Sequence, residues 1–271
     1  PQPSVVEAFE ARFAKSKERR AAYAELRDVE PFTRCGTRIQ VMMNAGLRDD
    51  LTTLQLVGAD GIGLFRTEFQ FLVSATLPQR EKQTRFYKDV LEAAGDKPVV
   101  FRTVDIGGDK AVPYLSNESS LEDENPAMGW RALRLALERE GLFKAQARAL
   151  IEASGGKTLR VMFPMVSEPW EFDAARKVFE QQLDFLRQHK RIMLPEAIEY
   201  GAMIEVPSLV EVLDQLLPKV SFVSVGTNDL TQTVFGISRD DSGRFLQAYM
   251  DKGIFETDPF VRLDQEGVGD L

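Results

Sequence analysis

The segment GIGLFRTE (61–68) is a short apolar run that stops abruptly at a charged residue. Three further segments repeat this pattern, namely VVFRTVDIGGDK (99–110), GAMIEVPS (201–208) and FVSVGTNDLTQ (222–232). Each apolar run has the length of one buried strand. Runs that are so continuously apolar are typical of a parallel sheet that is covered on both faces.

Strand-like and helical patterns alternate along the rest of the chain. The predicted strands are residues 39–44, 62–65, 99–101, 159–165, 202–204 and 222–225. The predicted helices between them are residues 47–57, 79–94, 125–153, 168–188 and 208–217. Strict alternation implies βαβ units, so we predict an α/β fold: a (β/α)8 TIM-type barrel with about six of its eight units present. A doubly wound sheet is the alternative, but it would gather its site at one switch point.

The N-terminal 30 residues follow a different pattern. Apolar residues recur there at helical spacing over a charged face, at Val5, Val6, Phe9, Phe13, Tyr23 and Leu26. We predict a linker helix over residues 1–30 that packs on the main body, followed by a barrel domain over residues 31–271.

Composition excludes several classes of protein. With 271 residues and 44% hydrophobic content, the chain can bury one large core or two modest ones. It has no run of about 18 apolar residues and no secretory leader pattern, so we expect neither a membrane span nor secretion. The single Cys35 fits a reducing cytoplasm. The net charge of −8 disfavours nucleic acid, and an anionic substrate would need local arginines.

The four opening segments deliver polar groups just past their strands: Arg66, Arg102, Glu205, and the pair Asn228 and Asp229. Functional groups of a barrel lie at the C-terminal ends of its strands, so these side chains should converge. Two arginines and two acids are the parts needed to hold a polyanion and a divalent metal together.

Each of these residues also has a structural interpretation. Glu205 fits a buried carboxylate paired with an arginine, and Asp229 fits a helix N-cap. Arg66 and Arg102 could each pair with a neighbouring acid. However, these interpretations require four coincidences at one face of one barrel, and buried charges collected in this way are usually functional.

The glycine-rich segments and the single histidine do not indicate a further functional site. SGGKT (154–158) and the glycines of GADGIG (58–63) precede strands instead of following them, so we interpret the first as a helix stop and reject the second as a dinucleotide motif. His189 is the single histidine, which excludes a His-based metal site or a Ser–His–Asp triad within this chain. Residues 116–124 are the expected mobile loop.

Six segments together resemble the phosphoenolpyruvate (PEP)-binding barrel of the PEP-utilising family. They are GIGLFRTEF, FRTVDIGGDK, ENPAMGWRALRL, RVMFPMV, MIEVPS and GTNDLTQ. This family includes Enzyme I of the sugar phosphotransferase system, pyruvate phosphate dikinase and PEP synthase. DIGGDK and ENPAMGWR resemble Enzyme I, whereas the tail from GTNDLTQ onwards is more similar to pyruvate phosphate dikinase.

The resemblance implies transfer of the phosphoryl group of PEP to a histidine on a separate domain, with release of pyruvate. Arg66 and Arg102 match catalytic arginines of the family that bind the phosphoryl group, and Arg239 matches a further catalytic arginine of the site. Asn228 would hold the carboxylate end of PEP, and Asn44 would line the floor of the substrate site.

The resemblance also implies a cofactor and partners. Glu205 and Asp229 match magnesium ligands, and Mn²⁺ can substitute for Mg²⁺ there. The expected partners are PEP and pyruvate, a phosphohistidine domain of the same or another chain, and a second copy in a cytoplasmic homodimer. Neither nucleic acid nor a membrane is expected.

The sequence departs from the family in one respect that should affect turnover more than binding. A cysteine near the end of the family's barrel protonates the enolate, and this chain ends at Leu271, before that segment. Cys35 lies at the wrong end to be that acid, so we expect a truncated barrel that turns over poorly. The alternatives are a fragment of pyruvate phosphate dikinase or PEP synthase, a Mg²⁺-dependent carbon–carbon lyase on the same barrel, and a non-catalytic regulatory fragment.

Overall fold

The computed structural model describes residues 3–108, 110, 112 and 125–271. The loop that the sequence predicts to be mobile, residues 116–124, lies outside the described residues.

Six parallel strands form one sheet, and their order in the sheet is their order in the chain. They are β1 (Met43–Ala45), β2 (Ile62–Arg66), β3 (Val99–Arg102), β4 (Thr158–Phe163), β5 (Ala197–Ile204) and β6 (Phe222–Val225). A doubly wound sheet would reverse its strand order at a switch point, and this sheet does not. The sheet curls into an open half-barrel, consistent with an incomplete TIM-type barrel.

Strand β1 is shorter than the sequence predicts. Residues 39–42 precede the ladder: the Ile39 amide donates to the Pro31 carbonyl oxygen at 2.8 Å, and Val41 is hydrogen-bonded to Asp60. The Val41 amide donates to the Asp60 carboxylate at 2.8 Å, and the Asp60 amide donates to the Val41 carbonyl at 2.9 Å.

Eleven α-helices occur in the described residues, and none of them is long and apolar enough to cross a membrane. They are α1 (Pro3–Glu25), α2 (Arg48–Leu56), α3 (Glu68–Leu72), α4 (Arg80–Ala94), α5 (Ala132–Glu138), α6 (Glu140–Ala153), α7 (Pro169–His189), α8 (Pro207–Val210), α9 (Leu213–Leu216), α10 (Thr227–Phe235) and α11 (Leu246–Asp251).

Two predicted helices are broken in the structure. The predicted helix over residues 125–153 splits into α5 and α6 because Arg139 leaves the helical region, at φ −90° and ψ 57°. The predicted helix over residues 208–217 breaks at Val212, at φ −122° and ψ 24°. Ser154 ends α6, so SGGKT is the helix stop that the sequence predicts.

The main core lies between the sheet and the helices outside it. Its aromatic side chains meet edge to face, a favourable arrangement for ring quadrupoles. Phe65 and Tyr87 both contact Phe101, with ring centroids 5.5 and 5.6 Å apart, and Phe143 contacts Phe179 at 5.7 Å. This core fixes β2, β3 and β4 against α4, α6 and α7, and therefore fixes where those strands end.

Helix α1 does not bury the apolar stripe that the sequence marks. Phe9 and Phe13 are 67% and 63% exposed, and Tyr23 and Leu26 are also exposed. The expectation that these side chains pack on the main body is therefore wrong. The two phenylalanine rings stack on each other instead, at 6.2 Å between centroids, which shields part of their surface.

Candidate functional site

A cavity of about 640 Å³ opens at the carboxyl ends of the strands. All of the sequence-predicted site residues line it: Asn44, Arg66, Arg102, Glu205, Asn228, Asp229 and Arg239. The two arginines at 66 and 102 end β2 and β3, whereas the acids follow β5 and β6. The structure thus brings together side chains that lie up to 195 positions apart (239 − 44) in the chain.

Arg66 and Arg102 lie side by side because they are register partners in the β2–β3 ladder. Adjacent strands are about 4.8 Å apart, so both guanidinium groups start from neighbouring points. Arg66 is exposed, lies over the Phe69 ring at 4.5 Å and forms no ion pair with a described residue. Its charge therefore faces the cavity.

Arg102 is buried in an ionic network. One of its nitrogens, Nη2, donates to Glu68 and lies 3.1 Å from Asp105 Oδ2. Asp105 also accepts two hydrogen bonds from Arg131, from Nε at 3.0 Å and from Nη2 at 2.8 Å, and one from Lys110. Burial alone would raise the pKa of the Asp105 carboxyl, but the three cations outweigh it and hold that pKa below its ordinary range. Asp105 therefore stays ionised and fixes the positive groups around it.

The sequence reasoning did not assign Arg131 or Lys110, although both line the cavity. They lie in the segments ENPAMGWRALRL and DIGGDK, beyond any strand end, so the strand-end pattern could not select them. Gly107 brings them together, since it forms backbone bridges to both. Its φ is +99°, and an added Cβ would lie 2.3 Å from the Trp130 carbonyl oxygen, so this approach requires glycine.

Glu205 and Asp229 form the acidic side of the cavity. Glu205 is buried, and its Oε1 accepts a hydrogen bond from the Met165 amide at 2.6 Å. Burial, together with the negative charge of Asp229, raises the pKa of Glu205 to about 7. Met165 adopts φ +53°, which is rare for a residue with a side chain and directs its amide at this carboxylate.

This acidic side fits a divalent cation that takes few protein ligands. In the described part of the chain, no group of three or more His, Cys, Asp or Glu side chains lies close enough to hold a metal. Mg²⁺ commonly binds through one or two carboxylates and completes its octahedron with water and phosphate oxygens. Glu205 and Asp229 could supply that donor set, and a cation bound there would relieve the repulsion between them.

Comparison with known proteins agrees with this geometry. Residues 20–267 match the family described as PEP-utilising enzyme, PEP-binding domain. The chain belongs to this family. Three similar relatives are each named phosphoenolpyruvate-protein phosphotransferase, and they come from Bacillus sp. (strain S), Lactococcus lactis subsp. cremoris and Haemophilus influenzae.

The similarity to these relatives extends over most of this chain. The identities are 38% over 240 residues, 40% over 222 and 39% over 239, respectively. The alignments cover 88%, 81% and 88% of this chain, but 41%, 38% and 41% of the relatives. The chain thus spans about two fifths of the length of these relatives.

Proposed function

We propose that this chain is the PEP-binding catalytic part of a PEP-protein phosphotransferase similar to Enzyme I. It binds PEP with Mg²⁺ and transfers the phosphoryl group to a histidine on a separate domain, releasing pyruvate. The observation that carries the proposal is one cavity in which the register-paired Arg66 and Arg102 lie with the carboxylates of Glu205 and Asp229.

The arginines would hold the phosphoryl group. Arg66 forms no ion pair with a described residue, and the buried Nε of Arg102 has no hydrogen-bond partner there. Guanidinium groups bind two phosphate oxygens at once, which favours them over lysine for this task. Phosphoryl transfer depends on charge neutralisation and in-line placement, and fixed arginines provide both. Arg239, exposed at the cavity, would add a third positive charge.

The carboxylates would hold Mg²⁺, or Mn²⁺ in its place. When bound, the cation would neutralise charge that develops on the substrate as the P–O bond breaks. Asn228, next to Asp229, would donate to the carboxylate of PEP, and Asn44 would contact the substrate from β1. Glu205 keeps its orientation because the Met165 amide holds one of its oxygens.

Binding of PEP tests the substrate assignment. In the presence of Mn²⁺, Arg66→Ala should weaken PEP binding by about 10- to 100-fold, since a hydrogen bond to a charged group contributes about 1.5–3 kcal/mol. Arg187→Ala is the matched control, because Arg187 is an exposed arginine on α7 paired with Asp184 and should bind PEP like the wild type. Selective binding of oxaloacetate or an acyl-CoA would favour the lyase, and no binding at all would favour a regulatory fragment.

Binding of Mn²⁺ tests the metal assignment separately. Glu205→Gln should abolish the part of the Mn²⁺ affinity that depends on PEP, because the amide removes one of two anionic ligands. Glu180→Gln, an exposed substitution of the same kind on α7, should leave it unchanged. Unchanged Mn²⁺ affinity in Glu205→Gln would show that the metal binds elsewhere.

We also propose that the whole protein forms a (β/α)8 barrel and acts as a cytoplasmic homodimer. Apolar surface is exposed at the β6 edge of the half-barrel, where Val225 is 58% exposed, and further strands of a complete barrel would cover it. The homodimer is what the resemblance to Enzyme I implies. The exposed thiol of Cys35 fits a reducing compartment. Light scattering at tens of micromolar should give at least twice the chain mass, and a clean monomer of 30.5 kDa would contradict the dimer.

A further inference from the structure

We propose that Gln146, on α6, is a positioning residue that holds the two strand ends carrying Arg66 and Arg102 in one fixed geometry. The proposal rests on the proposed function, because it assigns these arginines to the phosphoryl group. Gln146 does not line the cavity and acts through the backbone beneath it.

The contacts of Gln146 span both strands. Its Nε2 donates to Thr67 Oγ1 at 3.0 Å, and Thr67 is the residue directly after Arg66. Its Oε1 accepts a hydrogen bond from the Val104 amide at 2.9 Å, two residues after Arg102. Thr67 completes the connection, since its hydroxyl donates to the Arg102 carbonyl oxygen at 2.9 Å. One side-chain amide thus joins the end of β2 to the end of β3.

The network allows one orientation of this amide. The Val104 backbone N–H can only donate, so Oε1 of Gln146 faces it and the NH₂ group faces Thr67. The second NH₂ proton goes to Tyr87 Oη at 3.2 Å, and Tyr87 in turn donates to Gln83 Oε1 at 3.3 Å. All four of these side chains are buried. A fully satisfied buried network is rigid, and losing one member leaves its partners unpaired at a high cost.

Rigidity at this point bears directly on the arginines. Arg66 has no ion pair with a described residue, so its position depends on the backbone at the end of β2 and on the Phe69 ring beneath its guanidinium. Arg102 is held by acids at its guanidinium and by Thr67 at its own carbonyl. Placement of reacting groups supplies much of the rate in phosphoryl transfer, and small displacements are costly there.

Gln146 could instead be no more than a core residue, and a pair of ligands separates the two roles. Loss of a purely structural residue lowers the folded fraction and weakens all ligands alike. Loss of a positioning residue weakens the ligand that needs the arginines. The probes are Mn²⁺ with PEP, and Mn²⁺ with oxalate, a dicarboxylate that lacks a phosphoryl group.

Gln146→Met keeps the length of the side chain and removes its hydrogen bonds, and Thr67→Val keeps the shape of Thr67 without the hydroxyl. In the folded fraction of either variant, PEP should bind about tenfold more weakly while oxalate stays within about twofold. Gln182→Met is the matched control. Gln182 is an equally buried glutamine on α7 that accepts from Arg148 Nε at 2.7 Å and does not line the cavity, so both ligands should bind as to the wild type.

Equal weakening of PEP and oxalate, or wild-type PEP affinity in a folded Thr67→Val protein, would overturn the positioning role. Failure of the proposed function looks different, because the wild type itself would then not bind PEP. If the wild type does not bind PEP, crystal structures of the wild type and of Gln146→Met still test the positioning role. The Cα atoms of Arg66 and Arg102 should move relative to each other in Gln146→Met, and identical strand ends in the two structures would refute the proposal.

Discussion

The two sides of the cavity shift the pKa of a buried carboxylate in opposite directions. On the β2–β3 side, Asp105 is surrounded by Arg102, Arg131 and Lys110, and its pKa is lowered. On the β5–β6 side, Glu205 lies near another acid, and its pKa is raised to about 7. Both carboxylates are buried at strand ends, so burial does not explain the difference. The balance of neighbouring charges does: three cations surround Asp105, whereas the charge of Asp229 outweighs that of Arg102 beside Glu205.

This contrast shows which half of the site is complete by itself. The cationic side is held by its own ion pairs and is ready for an anion. The acidic side contains repulsion that a divalent cation would remove. Arg131 connects the two sides, since its Nη1 lies 3.5 Å from Asp229 Oδ1 while its other nitrogens bind Asp105. Removing a carboxylate should therefore have opposite effects on the two sides.

The largest effect is expected for Asp105→Asn. This change leaves three buried or half-buried cations without their common anion, and breaking a buried ion pair typically costs about 3–5 kcal/mol. The free energy of unfolding, measured with urea at pH 7, should fall by that amount. Asp184→Asn is the control, because Asp184 is in an exposed pair with Arg187 and should change stability by less than about 1 kcal/mol.

The difference between Asp105→Asn and the wild type should also depend on pH. The pKa of Asp105 is lower in the folded protein than its ordinary value of 3.8. The stability that its ionisation contributes is therefore fully present above about pH 4 and is lost as the pH falls through the folded pKa. The two proteins should converge in stability below pH 4, and a constant difference down to pH 2 would contradict the ionic explanation.

Many residues of the cationic and acidic sides could be predicted from the sequence, because the apolar pattern shows where each strand ends. A short apolar run followed by Arg66, Arg102 or Glu205 places the polar group at a strand end, and parallel strands end at one face. Arg131 and Lys110 do not directly follow an apolar run, so this pattern does not locate them. Their positions depend on the tertiary contact of two loops at Gly107, and no period in the sequence encodes that contact.

The helices likewise show which features a sequence pattern can predict and which it cannot. Long amphipathic helices such as α4 and α7 follow the predicted spacing to within one or two residues. Helix α3 was missed because its five residues, EFQFL, are too short to show a helical period. The break between α5 and α6 depends on the conformation of one residue, Arg139, which local propensity does not specify.

A medium effect is expected on the acidic side for Gly226→Ala. An added Cβ would lie 2.5 Å from Glu205 Oε2 and 2.8 Å from Glu205 Cβ, so the carboxylate must shift. Overpacking of this kind costs about 1–3 kcal/mol and should weaken Mn²⁺ binding along with stability. Gly141→Ala is the control, because nothing lies within 4 Å of the added atom, so neither stability nor Mn²⁺ affinity should fall. Wild-type Mn²⁺ affinity in Gly226→Ala would separate Gly226 from the metal site.

An effect of the opposite sign to that of Asp105→Asn is expected for Glu205→Gln in the presence of a chelator. The pKa of Glu205 is about 7 in the folded protein against an ordinary value of 4.5, so folding favours its protonated form. The cost of its ionisation is absent below pH 4.5, grows between pH 4.5 and 7, and is complete above pH 7. Glu205→Gln should therefore be more stable than the wild type by about 1–3 kcal/mol at pH 8 and closer to it at pH 5.

This result would separate the two sides of the cavity most sharply, because Glu205→Gln and Asp105→Asn both replace a buried carboxylate with an amide. Glu180→Gln, an exposed control on α7, should show no such pH-dependent gain. Added Mn²⁺ and PEP together should reverse the order by stabilising the wild type more than the variant, since a ligand that binds the folded state raises its stability by mass action. Destabilisation by Glu205→Gln at pH 8 without metal would mean that the Glu205 carboxylate has cationic partners comparable to those of Asp105. The acidic side would then need no divalent cation to balance it.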